Sequence, residues 1–74
     1  GETETRSFVI SEIQYVEIAG ETYVYLAGDD GMVYWQKFSD NEQLIFLHEG
    51  DTVTVNGIME KDNIYWIDTI GIMQ

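Results

Sequence analysis

The chain has 74 residues, no Cys and no Pro, and 14 acidic residues against three basic ones, which gives a formal charge of −11 at pH 7. A chain this short holds one hydrophobic core, and without Cys it can form neither disulfides nor thiolate zinc sites. So negative a surface argues against nucleic acid and anionic membranes as partners, and no apolar run approaches the ~20 residues that span a bilayer.

The N-terminal part of the chain predicts a flexible polar segment followed by one long strand. Residues 1–6 are polar and are expected to be flexible, and residues 7–74 to form a single domain. Residues 8–18 are rich in β-branched and aromatic side chains, which favours a strand. The apolar alternation changes phase between Tyr15 and Val16, so we expect a bulge or bend there.

A hairpin is predicted in the next part of the chain. Residues 22–27 and 32–38 alternate in the manner of strands, and the Gly-Asp-Asp-Gly sequence of residues 28–31 supplies the positive φ angles of a tight turn.

The C-terminal half predicts two more strands after an irregular segment. Residues 43–48 contain four consecutive apolar residues that fit neither a clean strand nor a long helix, so we expect a short helix or a loop that plugs the barrel. Residues 52–59 form strand four, which Gly57 interrupts at a bulge or corner. Residues 64–70 form strand five. The expected architecture is an all-β, five-stranded barrel.

Three segments resemble bacterial OB-fold domains, which are small Greek-key barrels. A Gly-Asp turn leads into an alternating strand that ends at Gly57, and the hairpin of the second and third strands and the closing strand are also similar. The segments are residues 23–33, 47–57 and 65–70. The resemblance covers about residues 6 to 72 and implies an OB-like barrel with at most one short helix between strands three and four. Residues 41–51 also resemble an SH3-like barrel, which stays as the second choice.

Residues capable of catalysis or metal binding are few. His48 is the only His and has no evident nucleophile beside it, so we expect no enzyme and no catalytic residue. Asp29, Asp30, Asp62 and Asn63 lie in turns, but their spacing does not match a Ca²⁺-binding loop. We therefore expect no metal and no cofactor.

Aromatic residues offer the best candidate surface. If Val24 and Leu26 point inward, Tyr23 and Tyr25 point outward, and Tyr34 is expected across the hairpin on the same face. OB-folds bind ligands on their second and third strands. The resemblance therefore implies a binding face formed by these three tyrosines. Trp35 and Trp66 sit among strongly apolar neighbours and are expected in the core.

Together these features predict a non-enzymatic OB-like module. Because the chain begins with Gly rather than Met, we expect a domain cut from a larger protein, with an intact small protein as the alternative. The resemblance implies a bacterial protein, and we expect the domain to contact a protein partner or a neighbouring domain. The alternatives are an OB-fold that binds single-stranded nucleic acid and a small-ligand or Ca²⁺-binding stress protein. The sequence leaves the compartment and the oligomeric state open.

Overall fold

The computed structural model describes residues 2–60 and 62–73, and in this part of the chain it contains five β-strands, two short 3₁₀ turns and no α-helix. The strands are β1 (Glu2–Ile18), β2 (Glu21–Gly28), β3 (Val33–Lys37), β4 (Thr52–Met59) and β5 (Ile64–Met73), and the 3₁₀ turns are Phe38–Asp40 and Glu42–Phe46. The predicted all-β class with five strands is confirmed.

The five strands form one sheet that closes on itself in the order β1-β2-β3-β5-β4. β1 allows this closure because its first half pairs with β4 and its second half pairs with β2. All neighbouring pairs are antiparallel except β3 and β5, which run parallel and pair at only three positions, from Val33 opposite Ile64 to Trp35 opposite Trp66.

β1 is longer than the sequence pattern indicated. The segment expected to be flexible is part of this strand from Glu2 onward, because it pairs residue by residue with β4; Gly1 lies outside the described residues. The bulge in β1 also lies elsewhere, at Ser11, where the register to β2 shifts. Across the predicted position, Tyr15 and Val16, the pairing with β2 is regular.

The core fills the inside of the closed sheet with side chains from all five strands and the second 3₁₀ turn. It consists of Phe8, Ile10, Val24, Leu26, Met32, Tyr34, Leu44, Leu47, Val53, Val55, Tyr65 and Ile67. One buried polar side chain, Gln36, joins β3 to β5 where their backbone pairing ends: its Nε2 donates to the carbonyl oxygen of Asp68 at 2.9 Å. This partner replaces water for the amide nitrogen, whereas Gln36 Oε1 is buried without a hydrogen-bond partner among the described residues.

The irregular segment between β3 and β4 consists of the two 3₁₀ turns. Asn41 begins the second one by accepting a hydrogen bond from the Gln43 N–H at 3.2 Å. The three-residue period of a 3₁₀ turn puts Leu44 and Leu47 on the buried side and leaves Ile45 and Phe46 exposed. This explains the run of four apolar residues. Two 3₁₀ turns, of which the second contributes Leu44 to the core, stand where at most one short helix was expected. None of the helical segments in residues 2–60 and 62–73 has the length and apolar character that a membrane span requires.

Candidate functional site

An outward-facing set of aromatic side chains lies across β2, β3 and β5. Tyr25 is directly opposite Trp35, Trp35 is opposite Trp66, and Trp66 is opposite Ile58 of β4. Residues that oppose each other on neighbouring strands share a face of the sheet, so these four side chains form a continuous row on the outside. Together with Tyr23, two residues before Tyr25 on the same face, they are called the aromatic face below.

The rings of the aromatic face contact one another. Tyr25 meets Trp35 edge to face with centroids 5.1 Å apart, and Trp35 meets Trp66 at 6.3 Å. Tyr23 meets Trp66 edge to face at 6.1 Å. Trp66 remains 41% exposed and Ile58 42%, whereas the other three side chains are half-buried. The packing fixes the positions of the rings and still leaves a contiguous apolar surface in contact with water.

Tyr34, which was expected on this face, lies in the core instead. It pairs opposite the inward-facing Leu26 and is completely buried. The cause is in the turn, where Gly28 donates its N–H to the Met32 carbonyl oxygen at 3.0 Å, so only residues 29–31 lie between the paired strands. The Asp30 carboxylate accepts from the Met32 N–H at 3.0 Å within this turn. A turn of all four residues 28–31 would pair Ala27 with Met32, whereas Ala27 is opposite Val33, and a shift of one residue exchanges the two faces of a strand.

The same register places both tryptophans outside, so their expected core location was wrong. Trp35 alternates with the buried Tyr34 and Gln36, and Trp66 alternates with the buried Tyr65 and Ile67. Since both neighbours of Trp66 are also apolar, the alternation of residue types could not distinguish its face. Tyr23 and Tyr25 lie outside as expected.

A polar cluster beneath the hairpin turn connects the start of β1 to β3. Arg6 donates from Nε to the Tyr34 hydroxyl at 3.0 Å, and its two terminal nitrogens reach Glu4 at 3.0 Å and Asp30 at 3.4 Å. Tyr34 donates its own hydroxyl hydrogen to Asp30, and Tyr65 donates to the carbonyl oxygen of Glu4. The cluster therefore supplies hydrogen-bond partners for the hydroxyl groups of Tyr34 and Tyr65, whose rings lie in the core.

These contacts shift the protonation equilibria of the cluster. Desolvation tends to raise the pKa of Asp30, but hydrogen bonds from Tyr34, the Met32 N–H and Arg6 outweigh it and lower that pKa. Burial and the hydrogen bond to Asp30 raise the pKa of the Tyr34 phenol. Hydrogen bonds to Glu4 and Tyr34 raise the pKa of Arg6 further above its usual range. Each group is held in the state it already has at neutral pH, which is characteristic of a structural network.

The acidic residues of the hairpin turn bind backbone groups. Asp29 accepts from the Val9 N–H at 3.0 Å, and Asp30 binds Met32 as described. No group of three or more potential metal ligands occurs in residues 2–60 and 62–73.

The single histidine, His48, lies at the surface. Its side chain is 79% exposed, and its Nδ1 lies 3.9 Å from the Asp51 carboxylate.

No protein-family model, curated protein or solved structure matches the chain. Its function is therefore inferred from its surface.

Depressions in the surface formed by residues 2–60 and 62–73 include the following two. The first lies beside the aromatic face, between β4 and β5, and is lined by Thr3, Asn56, Gly57, Ile58, Trp66, Ile67 and Asp68. The second lies between the second 3₁₀ turn and the end of β5, where Phe46 and Ile72 are exposed. Of these two, the first adjoins a set of mutually packed aromatic rings.

Proposed function

We propose that the chain is a non-enzymatic, OB-like module that binds a protein partner, or a neighbouring domain of the same protein, through the aromatic face. The observation that carries the proposal is the continuous outward row of Tyr25, Trp35, Trp66 and Ile58. Aromatic residues are enriched at protein interfaces because they offer a large rigid area at low entropic cost. A monomer gains nothing by leaving such a row in water.

The strand order supports the OB-like part of the proposal. A first strand that pairs with both β2 and β4, and a parallel β3–β5 pair that closes the sheet, fit the five-stranded Greek-key arrangement of OB-folds. The segment between β3 and β4 sits where that arrangement has its plug. An OB-like barrel is therefore preferred to an SH3-like one.

A non-enzymatic role fits the placement of the titratable groups. The described groups with shifted pKa values line neither depression; Arg6, Asp30 and Tyr34 are bonded to one another under the hairpin, and Tyr65 is bonded to the Glu4 carbonyl oxygen. His48 is largely exposed, so its surroundings give it no sheltered partner for acid–base chemistry.

Single-stranded nucleic acid is the second candidate, because the aromatic face offers rings on which bases can stack. The charge of −11 opposes it, since binding of a phosphate chain requires cations that release counterions. Protein is therefore the preferred partner.

Selection of binding peptides from a displayed random library tests the proposal. We expect selected peptides to bind the wild type and to lose binding, measured by fluorescence anisotropy, in Trp66→Ala. Tyr15→Ala is the matched control, because Tyr15 is an exposed aromatic residue outside the aromatic face. Peptides that bind Trp66→Ala and wild type equally would place the binding surface elsewhere.

A further inference from the structure

The depression beside Trp66 owes its shape to a bulge in β5. Gly57 is opposite Ile67 and Asn56 is opposite Thr69, so Asp68 has no partner on β4. Asp68 is exposed and lines the depression together with the exposed Trp66 and Ile58. A carboxylate thus stands next to an indole and an aliphatic side chain at one edge of the aromatic face.

Within the described part of the chain, no ion pair neutralises the Asp68 carboxylate, which lines this depression. Among residues 2–60 and 62–73, the ion pairs involve Arg6 and His48, and none reaches Asp68. The neighbouring Asn56 amide is used within the sheet, where its Nδ2 donates to Thr69 Oγ1 at 3.2 Å. A bound group that covered the depression would have to compensate the carboxylate, because an unpaired charge is costly to remove from water.

We propose that this depression receives a cationic side chain, Arg or Lys, from a peptide segment of the partner. The inference rests on the proposed function of the aromatic face and specifies the chemistry of its partner. The aliphatic stem of such a side chain packs along Ile58 and the Trp66 ring, and its charged head reaches Asp68. An apolar side chain would bury Asp68 without compensation, and an acidic one would be repelled.

The charge of the whole chain favours the same partner. Fourteen acidic residues and three basic ones produce a negative field that attracts a cationic segment and raises its association rate. Near the aromatic face, this field and the Asp68 carboxylate in the depression attract the same positive charge. Selectivity for a basic peptide therefore follows from both the local and the overall charge.

Titration with two short peptides tests the inference. The probes are acetyl-Gly-Arg-Gly-amide and its citrulline analogue, which has nearly the same shape but no charge. They are added at matched ionic strength to the ¹⁵N-labelled chain, and NMR shifts are followed. We expect saturable shifts in the millimolar range for the Arg peptide, centred on the Trp66 indole and the amides of Ile58 and Asp68.

The citrulline peptide and the variant Asp68→Asn should each bind at least about fivefold more weakly, which corresponds to about 1 kcal/mol. Asp40→Asn, which removes an exposed carboxylate on the first 3₁₀ turn, should leave binding unchanged. Equal binding of both peptides, shifts centred elsewhere, or no saturable shift would overturn the inference. If library peptides without Arg or Lys still depend on Trp66, the proposed function stands and only the cationic side chain is wrong.

Discussion

Phe8 and Tyr34 stack with ring centroids 3.7 Å apart and planes inclined by 8°. This contact places a ring of β3 against β1 at the centre of the core, and it fixes which face of β3 is outside. Since Tyr34 faces inward, Trp35 must face outward, opposite Tyr25 and Trp66. The stack therefore determines the composition of the aromatic face.

Tyr34→Phe keeps the stack and removes the hydroxyl that bonds Arg6 and Asp30. We expect a loss of about 1–3 kcal/mol in the free energy of unfolding, as for hydrogen bonds to charged groups. Tyr23→Phe is the control, because the Tyr23 hydroxyl makes no hydrogen bond to another described residue, and it should change stability by less than about 0.5 kcal/mol. Urea unfolding measures both, and equal effects would mean that the cluster contributes nothing.

Asp30 should make stability depend on pH in the acid range. Its pKa is lower in the folded than in the unfolded chain, so its contribution is complete above the unfolded value near 3.8 and is lost as pH falls through the folded value. We expect the stability difference between wild type and Asp30→Asn to be largest at neutral pH and to shrink below about pH 4. Thermal melts across this range check it; a difference that does not vary with pH would contradict the assigned contacts.

The raised pKa of Tyr34 has the opposite effect on the pH dependence of stability. A phenol whose folded pKa exceeds its unfolded value near 10 stabilises the chain below that pH, and the contribution is lost as pH rises above it. Wild type should therefore lose stability above about pH 10 more steeply than Tyr34→Phe. The free energy of unfolding is measured at several alkaline pH values. If it falls with pH equally steeply in the two proteins, the pKa of the Tyr34 phenol is not raised by folding.

Gly57 is required because the sheet has no room for a side chain there. An added Cβ would lie 2.0 Å from the Trp66 carbonyl oxygen and 2.8 Å from the Tyr65 ring. Gly57→Ala should cost about 1–3 kcal/mol or more, since backbone atoms must move. Gly71→Ala, where nothing lies within 4 Å, is the matched control and should be neutral. Similar unfolding midpoints for both variants would contradict the close approach of β4 and β5.

The two faces of the hairpin should respond differently to truncation. Tyr25→Ser acts on the half-buried outer face and should cost about 1 kcal/mol, whereas Tyr34→Ala opens a cavity in the core and should cost about 3–5 kcal/mol. Val53→Ala, also in the core, should cost on the order of 1–4 kcal/mol. Unfolding free energies in the reverse order would show that the register of β3 is wrong.

The sequence was sufficient for the number of strands and for most of their residues, because alternation and turn residues are local signals, but β1 begins earlier and bulges at another position than expected. It also indicated an irregularity at Gly57, where the register between β4 and β5 shifts, although the extra residue is Asp68 of β5. It could not reveal that Gly28 pairs with Met32 and leaves three residues in the turn, since a Gly at the edge of a turn signal can belong to either the strand or the turn. The faces of Tyr34 and Trp35 were exchanged for this reason.

Part of the aromatic face was predicted from the sequence. Tyr23 and Tyr25 were identified because they alternate with Val24 and Leu26, which are clearly inward. Trp66 was missed because a run of apolar residues has no polar face to orient it. The unpartnered Asp68 beside Trp66 was also beyond the sequence, since it arises from the register shift between β4 and β5.

The most direct test of the central claim is a map of the bound surface. A peptide selected from the library is titrated into the ¹⁵N-labelled chain, and the shifts of backbone amides and of both indole N–H groups are assigned. We predict that the largest shifts lie on Tyr25, Trp35 and Trp66, with little change in the second 3₁₀ turn. Shifts centred instead on the depression between Phe46 and Ile72 would contradict the assignment of function to the aromatic face.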